Sequence, residues 1–359
     1  MLLQTKTPPP ELWHDKFAFA EALLRLRALY GFDGILISLH GQAEDWERRV
    51  RERRRGAEED VVSWADGTRT IFPHDDLPRP VPAERPFVPA IAGFDPGSVP
   101  ERLDFIPVSQ GLHYAIDPDH PYDILDLVIE KSGGRYSVHG EVTSPFDYFL
   151  DLFGFSGGFL ALVEEPDRSK EILARFADGV ARIAREQAER GVDAIKISSP
   201  FAGAGFISPG FYREFVLPFE RRVAAAIREK GIFAYTHICG AVGDRLEMIA
   251  ETGVSGIECL DPPPLGNVEL EDALSRVGDT LFIKGNIDPV NTLLFGTPEI
   301  IRADALRRLS AGAGHGGYIL STACSIAPGT PRAHVALLAP LAEEFGGTVG
   351  SQRPPNQTL

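Results

Sequence analysis

Apolar and polar positions follow one dominant rhythm over most of this chain. From residue 121 onward, stretches with apolar residues at helical spacing alternate with short apolar runs, the pattern of helices feeding buried strands. The helical stretches cover 121–132, 145–165, 166–190, 208–229, 241–252, 269–276, 298–312 and 331–345. The strand runs cover 136–142, 192–199, 232–239, 254–261, 281–286 and 317–321. Ahead of them, a helical pattern over 13–30 leads into a strand run at 32–39, and an eighth strand is a candidate at 105–108. Seven or eight such units predict an α/β fold of the (β/α)₈ TIM-type barrel class rather than a doubly wound sheet.

The first 110 residues depart from this rhythm and are expected to be an N-terminal elaboration holding the first strand and a hairpin. Val61-Val62-Ser63-Trp64 and Thr70-Ile71-Phe72 flank Asp66-Gly67, a hairpin turn signal. Arg48, Arg49, Arg51, Arg53, Arg54 and Arg55 are interleaved with acids and predict a solvated helix face, with a docking patch for an acidic partner as the alternative. Residues 73–100 are proline-rich and predict an extended crossing segment. Residues 1–345 are expected to form one barrel domain, and the polar stretch 346–359 a disordered tail.

Composition narrows the function classes. The chain has 359 residues, 43% of them hydrophobic, enough for a large core, and a formal charge of −15, which argues against a nucleic-acid footprint. Three cysteines do not suggest a disulfide framework and favour a reducing compartment. No run approaches a membrane span of roughly 20 apolar residues, and the first residues lack the apolar run of a signal peptide. The expectation is a soluble cytoplasmic protein without nucleic-acid or membrane partners.

Candidate chemistry gathers on Tyr235-Thr236-His237-Ile238-Cys239-Gly240. Residues two apart on a strand share a face, so His237 and Cys239 converge across a span that zinc bridges, with Zn–N about 2.0 Å and Zn–S about 2.3 Å. Glu258 ends the next strand and Cys324 follows the last one, so both belong to the same mouth. Two cysteines, a histidine and an exchangeable carboxylate make a zinc set. Cys259, next to Glu258, is expected to point the other way into the core. Glu141 ends a strand at the same face and is the rival fourth ligand and catalytic carboxylate, or else serves a structural ion pair or a substrate hydrogen bond. His139 shares its strand face and is assigned, with Tyr235, Asn286 and Asp288, to the substrate pocket, although packing and turn roles serve each of them equally. No Gly-x-Gly-x-x-Gly follows the first strand and no phosphate-cradling Gly-x-x-x-x-Gly-Lys motif occurs.

Thr236-His237-Ile238-Cys239-Gly240, Glu251-Thr252-Gly253, Gly285-Asn286-Ile287-Asp288-Pro289 and residues 320–331 resemble the uroporphyrinogen decarboxylase superfamily. The likeness covers about residues 120–345 and is specific over 232–331. It is greatest to the zinc-dependent methylcobamide:coenzyme M methyltransferase branch, whose His-x-Cys and distant Cys are matched by His237, Cys239 and Cys324. Cobalamin-independent methionine synthase has a similar order, and Glu258 matches its zinc-binding glutamate with altered spacing. The resemblance implies zinc, a corrinoid or corrinoid protein as partner, and methyl transfer to a thiol or other small acceptor, with Glu258 the displaceable ligand. The decarboxylases begin with Arg-Gln-Ala-Gly-Arg, which grips substrate carboxylates, and this chain has no such stretch. A metal-free decarboxylase and a non-catalytic zinc-binding barrel are the alternatives.

Overall fold

The computed structural model describes residues 1–41, 43–82, 87–109, 111–315 and 317–352. The chain divides into two compact units. The first comprises Met1–Ala28, Asp33–Ser199 and Glu214–Ala234; the second comprises Leu29–Phe32, Pro200–Arg213 and Tyr235–Leu359.

In the first unit, the expected N-terminal helix is two, Pro9–His14 and Lys16–Tyr30. Asp15 breaks them: its Oδ1 accepts the Phe17 and Ala18 amides at 2.8 and 3.1 Å, so the second helix starts afresh. Strand β1 is Gly34–Ile37. A four-stranded antiparallel sheet follows, of β2 (Val50–Arg55), β3 (Glu59–Trp64), β4 (Arg69–Pro73) and β5 (Arg79–Val81). The expected hairpin is β3–β4. The arginine run is not a helix: a short 3₁₀ turn, Trp46–Arg49, passes into β2. Pairing with β3 holds the run extended, and Arg53 turns inward, to Glu11 at 2.7 Å and Asp60 at 3.0 Å, while its neighbours face solvent.

The eighth parallel strand is also corrected. Residues Phe105–Val108 do form a strand, β6, but it pairs antiparallel with β7 (Leu112–Ala115) in a sheet of its own. Gly111 at φ +73° turns the chain straight back, so a local partner takes the ladder.

Next come β8 (Ser137–Thr143) and β9 (Ala194–Ser198), parallel in the order β1-β8-β9. Between them lie helices Pro145–Phe153, Phe155–Glu164 and Pro166–Glu189, the first two separated by Gly154 at φ +67°. The long helix buries Ile172, Phe176, Val180 and Ile183, a stripe at three- to four-residue spacing, and packs on Leu217–Arg228.

Strand β10 (Phe233–Ile238) begins in the first unit and runs into the second. There it is followed in parallel by β11 (Gly256–Cys259), β12 (Phe282–Ile287) and β13 (Tyr318–Thr322). The hydrogen-bonded order is the chain order, β1-β8-β9-β10-β11-β12-β13, one seven-stranded sheet in an α/β fold. Helices Leu246–Glu251, Leu270–Val277, Pro298–Gly312 and Leu338–Gln352 fill the intervals. The expected start at 241 comes five residues too early, because 241–245 is a turn segment. Ile287, Leu293, Ile301, Ala305 and Leu341 form one buried cluster of this unit. Of the tail expected over 346–359, residues 346–352 belong to the helix Leu338–Gln352, and 353–359 lie outside the described residues. No single described helix is long and apolar enough to cross a membrane.

Candidate metal centre

The centre lies in the second unit, where β10 and β11 end. Gly240 (φ +76°) lets the chain turn immediately after Cys239, and its amide donates to Asp261 Oδ2 at 2.7 Å. Gly203 backs this turn: a Cβ there would stand 2.4 Å from the Cys239 carbonyl oxygen. The Ala204 amide donates to the Ala241 carbonyl at 2.8 Å. Arg245, fully buried, ties the loop around Gly203 in place by donating to the carbonyls of Ala202 (2.6 Å) and Ile207 (2.9 Å), and it pairs with Asp244 at 2.8 Å.

His237, Glu258 and Lys284 form a row, register partners on three adjacent parallel strands and hence on one face. Lys284 Nζ lies 2.9 Å from Glu258 Oε1 and 5.5 Å above the Tyr235 ring. Glu258 Oε2 is 3.9 Å from His237 Nδ1. The other ring nitrogen, Nε2, is 3.3 Å from Cys239 Sγ. The histidine thus presents one nitrogen to a carboxylate and the other to a thiol.

Cys259 does not point away into the core. Its donor atom, that of His237 and that of Cys239 all lie within 4.8 Å of one another, the described group able to hold a metal ion. Alternation fails because Cys259 has φ +92° and Leu260 φ +48°, so the backbone leaves the pleat at Cys259. Such conformations cost about 1–3 kcal/mol each and persist where the surroundings impose them. Here Asn286 Nδ2 donates to the Leu260 carbonyl at 2.9 Å, and Cys259 donates to Asp261 Oδ2 at 3.2 Å. Cys324, in the loop after β13, interacts electrostatically with Cys239 and His237 but is not in the group whose donor atoms all lie within 4.8 Å of one another.

Three thiols crowded together resist ionisation. The hydrogen bond with Cys259, with burial, pushes the Cys239 thiol up to about 12. The hydrogen bond with Cys239, with burial, does the same to Cys324, up to about 12. For Cys259 the hydrogen bond with Cys239 works downward, but burial and the electrostatic influence of Asp261 and Cys324 win and raise it to about 11. His237 Nδ1 is buried with no hydrogen-bond partner. Soft sulfur donors beside an imidazole are the set that zinc selects, and a cation would reverse the resistance of the thiols to losing protons. The residues fit that metal.

The remaining expected site residues have other neighbours. Glu141, on β8 of the first unit, forms an ion pair with Lys196 at 3.0 Å. His139, on the same strand, has Nε2 2.8 Å from Ser137 Oγ. Tyr235 is buried with its ring 5.7 Å from that of Phe282. Asn286 is buried between the Leu260 carbonyl and Arg308. Asp288 caps the turn Pro289–Leu294, accepting the Val290 and Asn291 amides at 2.8 Å each. Sequence reasoning missed Asp261 and Lys284. The one available signal was Pro262-Pro263-Pro264, which cannot continue a central strand and so forces the exit just after Cys259.

The family model described as uroporphyrinogen decarboxylase (URO-D) matches residues 110–345. Among curated proteins, the chain is similar to methylcobamide:CoM methyltransferase MtbA of Methanosarcina mazei, 30% identical over 65% of this chain and 66% of that one. It is also similar to MtbA of Methanosarcina acetivorans, 28% identical over 62% of each chain. Uroporphyrinogen decarboxylase of Prochlorococcus marinus (strain NATL1A) is 30% identical over 58% of each chain. The chain therefore aligns with two thirds or less of the length of these relatives. Among solved structures, a methyltransferase from Methanosarcina mazei has the same fold, with a TM-score of 0.69 over 95% of this chain and 88% of that one, at 20% identity.

Proposed function

The chain belongs to the uroporphyrinogen decarboxylase family, and from that premise we propose that it is a cytoplasmic, zinc-dependent methyltransferase moving a methyl group between a corrinoid, free or on a partner protein, and a small thiol or similar acceptor. The carrying observation is the thiol–imidazole cluster of His237, Cys239 and Cys259, whose donor atoms lie within 4.8 Å of one another, with Cys324 coupled to it electrostatically from the loop after β13. The methyltransferases among the relatives favour the same reading. The finer reading of the fold, one barrel over residues 1–345, belongs to this proposal; it is supported by seven parallel strands in chain order, without the eighth expected at 105–108.

Zinc bound here would hold an acceptor thiol as thiolate at neutral pH. The protein's own contribution is placement. His237 offers Nε2 toward the thiols, and Glu258, expected from sequence as the displaceable ligand, stands on the opposite side of the ring. There it accepts from Lys284 at 2.9 Å and faces Nδ1 from 3.9 Å, the side from which a carboxylate that closes to hydrogen-bond distance orients a metal-binding histidine.

The test is methyl transfer from methylcobalamin to coenzyme M, homocysteine and other thiols, with protein as purified and after chelation. Zinc-dependent loss of the methyl–cobalt absorbance is the expected result. Decarboxylation of uroporphyrinogen that survives chelation would establish the family's other activity instead.

A further inference from the structure

The sulfur of Cys259 has no part in the set drawn from sequence, yet it is the third member of the tightest donor group in the second unit. Its donor atom lies within 4.8 Å of those of His237 and Cys239. It is fully buried, and a strained φ of +92° turns it there. Glu258 cannot easily fill the same role, because it faces Nδ1 of His237 while the thiols face Nε2. Asp261 supplies the second observation. This buried carboxylate accepts from the Gly240 amide at 2.7 Å, next to Cys239, and from the Cys259 thiol at 3.2 Å. One oxygen thus ties the turn carrying Cys239 to the sulfur of Cys259.

We propose that Cys259 is a third cysteine ligand of the metal centre, and the one that an incoming thiol displaces. The inference rests on the zinc reading above. With Zn²⁺ bound, Cys239, Cys259 and Cys324 would be held as thiolates and His237 as neutral imidazole, so the charges would sum to −1. When a thiol RSH enters, its proton would pass to the Cys259 sulfur. The bond between Cys259 and the metal would break as one between RS⁻ and the metal forms, and the sum would stay −1. Cys259 is then a neutral thiol donating to Asp261 Oδ2, the hydrogen bond this structure shows. Nothing is oxidised or reduced, and no charge is stranded in a dry site. Glu258 acts as a positioning residue through His237.

Zinc-edge X-ray absorption of the protein as purified tests this, with and without coenzyme M as the probe thiol. The native centre should show three sulfur neighbours and one nitrogen, and still three sulfurs after coenzyme M is added. Cys259→Ala should show two sulfurs, rising to three with coenzyme M. Cys259→Ser serves if the alanine variant does not fold. In cobalt-substituted protein, the sulfur-to-metal charge-transfer band should fall by about one third in either variant, since soft thiolate donors generate it. A zinc-loaded native protein with only two sulfurs, or a variant with an unchanged sulfur count, would overturn the role of Cys259 and leave the zinc reading standing. Native protein that binds no zinc would instead overturn the reading on which this rests.

Discussion

Arg245→Met tests how the turn behind Cys239 is held. The substitution keeps an unbranched apolar stem in a site with no exposure but removes the guanidinium. Two carbonyls, Ala202 and Ile207, lose their charged donor. Leaving a buried acceptor unsatisfied costs about 1–3 kcal/mol each. Asp244 is about one third exposed and can rehydrate, so its loss adds little. Release of the guanidinium from burial offsets part of the cost, giving a net loss of about 3 kcal/mol, at the low end for breaking a buried charged contact. With a slope of about 3 kcal/mol per molar urea, the midpoint should fall by about 1 M. The assay is urea unfolding of metal-free protein, followed by circular dichroism, for the native chain, Arg245→Met and Arg245→Lys. Lysine keeps a charge without the fork and should recover only part of the loss. A midpoint shift in Arg245→Met below about 0.3 M, less than 1 kcal/mol on that slope, would refute the claim that this arginine fastens the loop.

Three further outcomes follow. Glu258→Gln should keep one zinc per chain and the same sulfur count but weaken zinc binding about 10–100-fold, the usual effect of losing a carboxylate behind a histidine ligand; competition with a chromophoric chelator measures it. Because the metal-free thiols lie up at about 11 to about 12, all three hold protons at pH 7. Zinc binding should therefore release about three protons, so affinity rises with pH by roughly a thousandfold per unit; titration calorimetry in two buffers counts the protons, and a count of two would exclude one cysteine. In the N-terminal sheet, burial opposes the charge of Asp60, but hydrogen bonds from His74 and Arg53 outweigh it and hold its carboxyl below the ordinary value. A lowered folded value means that this stability is present above the unfolded value of about 4 and lost as pH falls through the folded one. Asp60→Asn should therefore melt lower than the native chain at pH 7, with the gap closing in acid, and a gap independent of pH would contradict the assignment.

Elements with a strong period were legible from sequence alone. The helix expected over 298–312 is the helix Pro298–Gly312, and each of the seven expected strand runs overlaps a strand of the sheet, with β8, β12 and β13 each running one residue past the expected end. Local charge was a poor guide, since the run from Arg48 to Arg55 carries no apolar stripe and its strand character comes from pairing with β3. At 105–108 the strand was legible but its partner was not, because sheet membership is a non-local property. His237 and Cys239 were found because β10 keeps its pleat up to the site. Cys259 was missed because two-residue alternation holds only while φ stays extended, and at Cys259 it does not. The outer contacts of Glu258, with Lys284 and His237, depend on the register of three strands, which no local pattern encodes.

The central claim is that the histidine and thiols bind zinc, and its most direct test is the zinc content of protein purified without added metal, native and Cys239→Ser side by side. The account predicts about one zinc per native chain and a strong loss in the variant, because a structural or catalytic zinc site rests on about four ligands and loses one that cannot be replaced in kind. Stoichiometric zinc retained in Cys239→Ser, or a native protein without zinc, would contradict it.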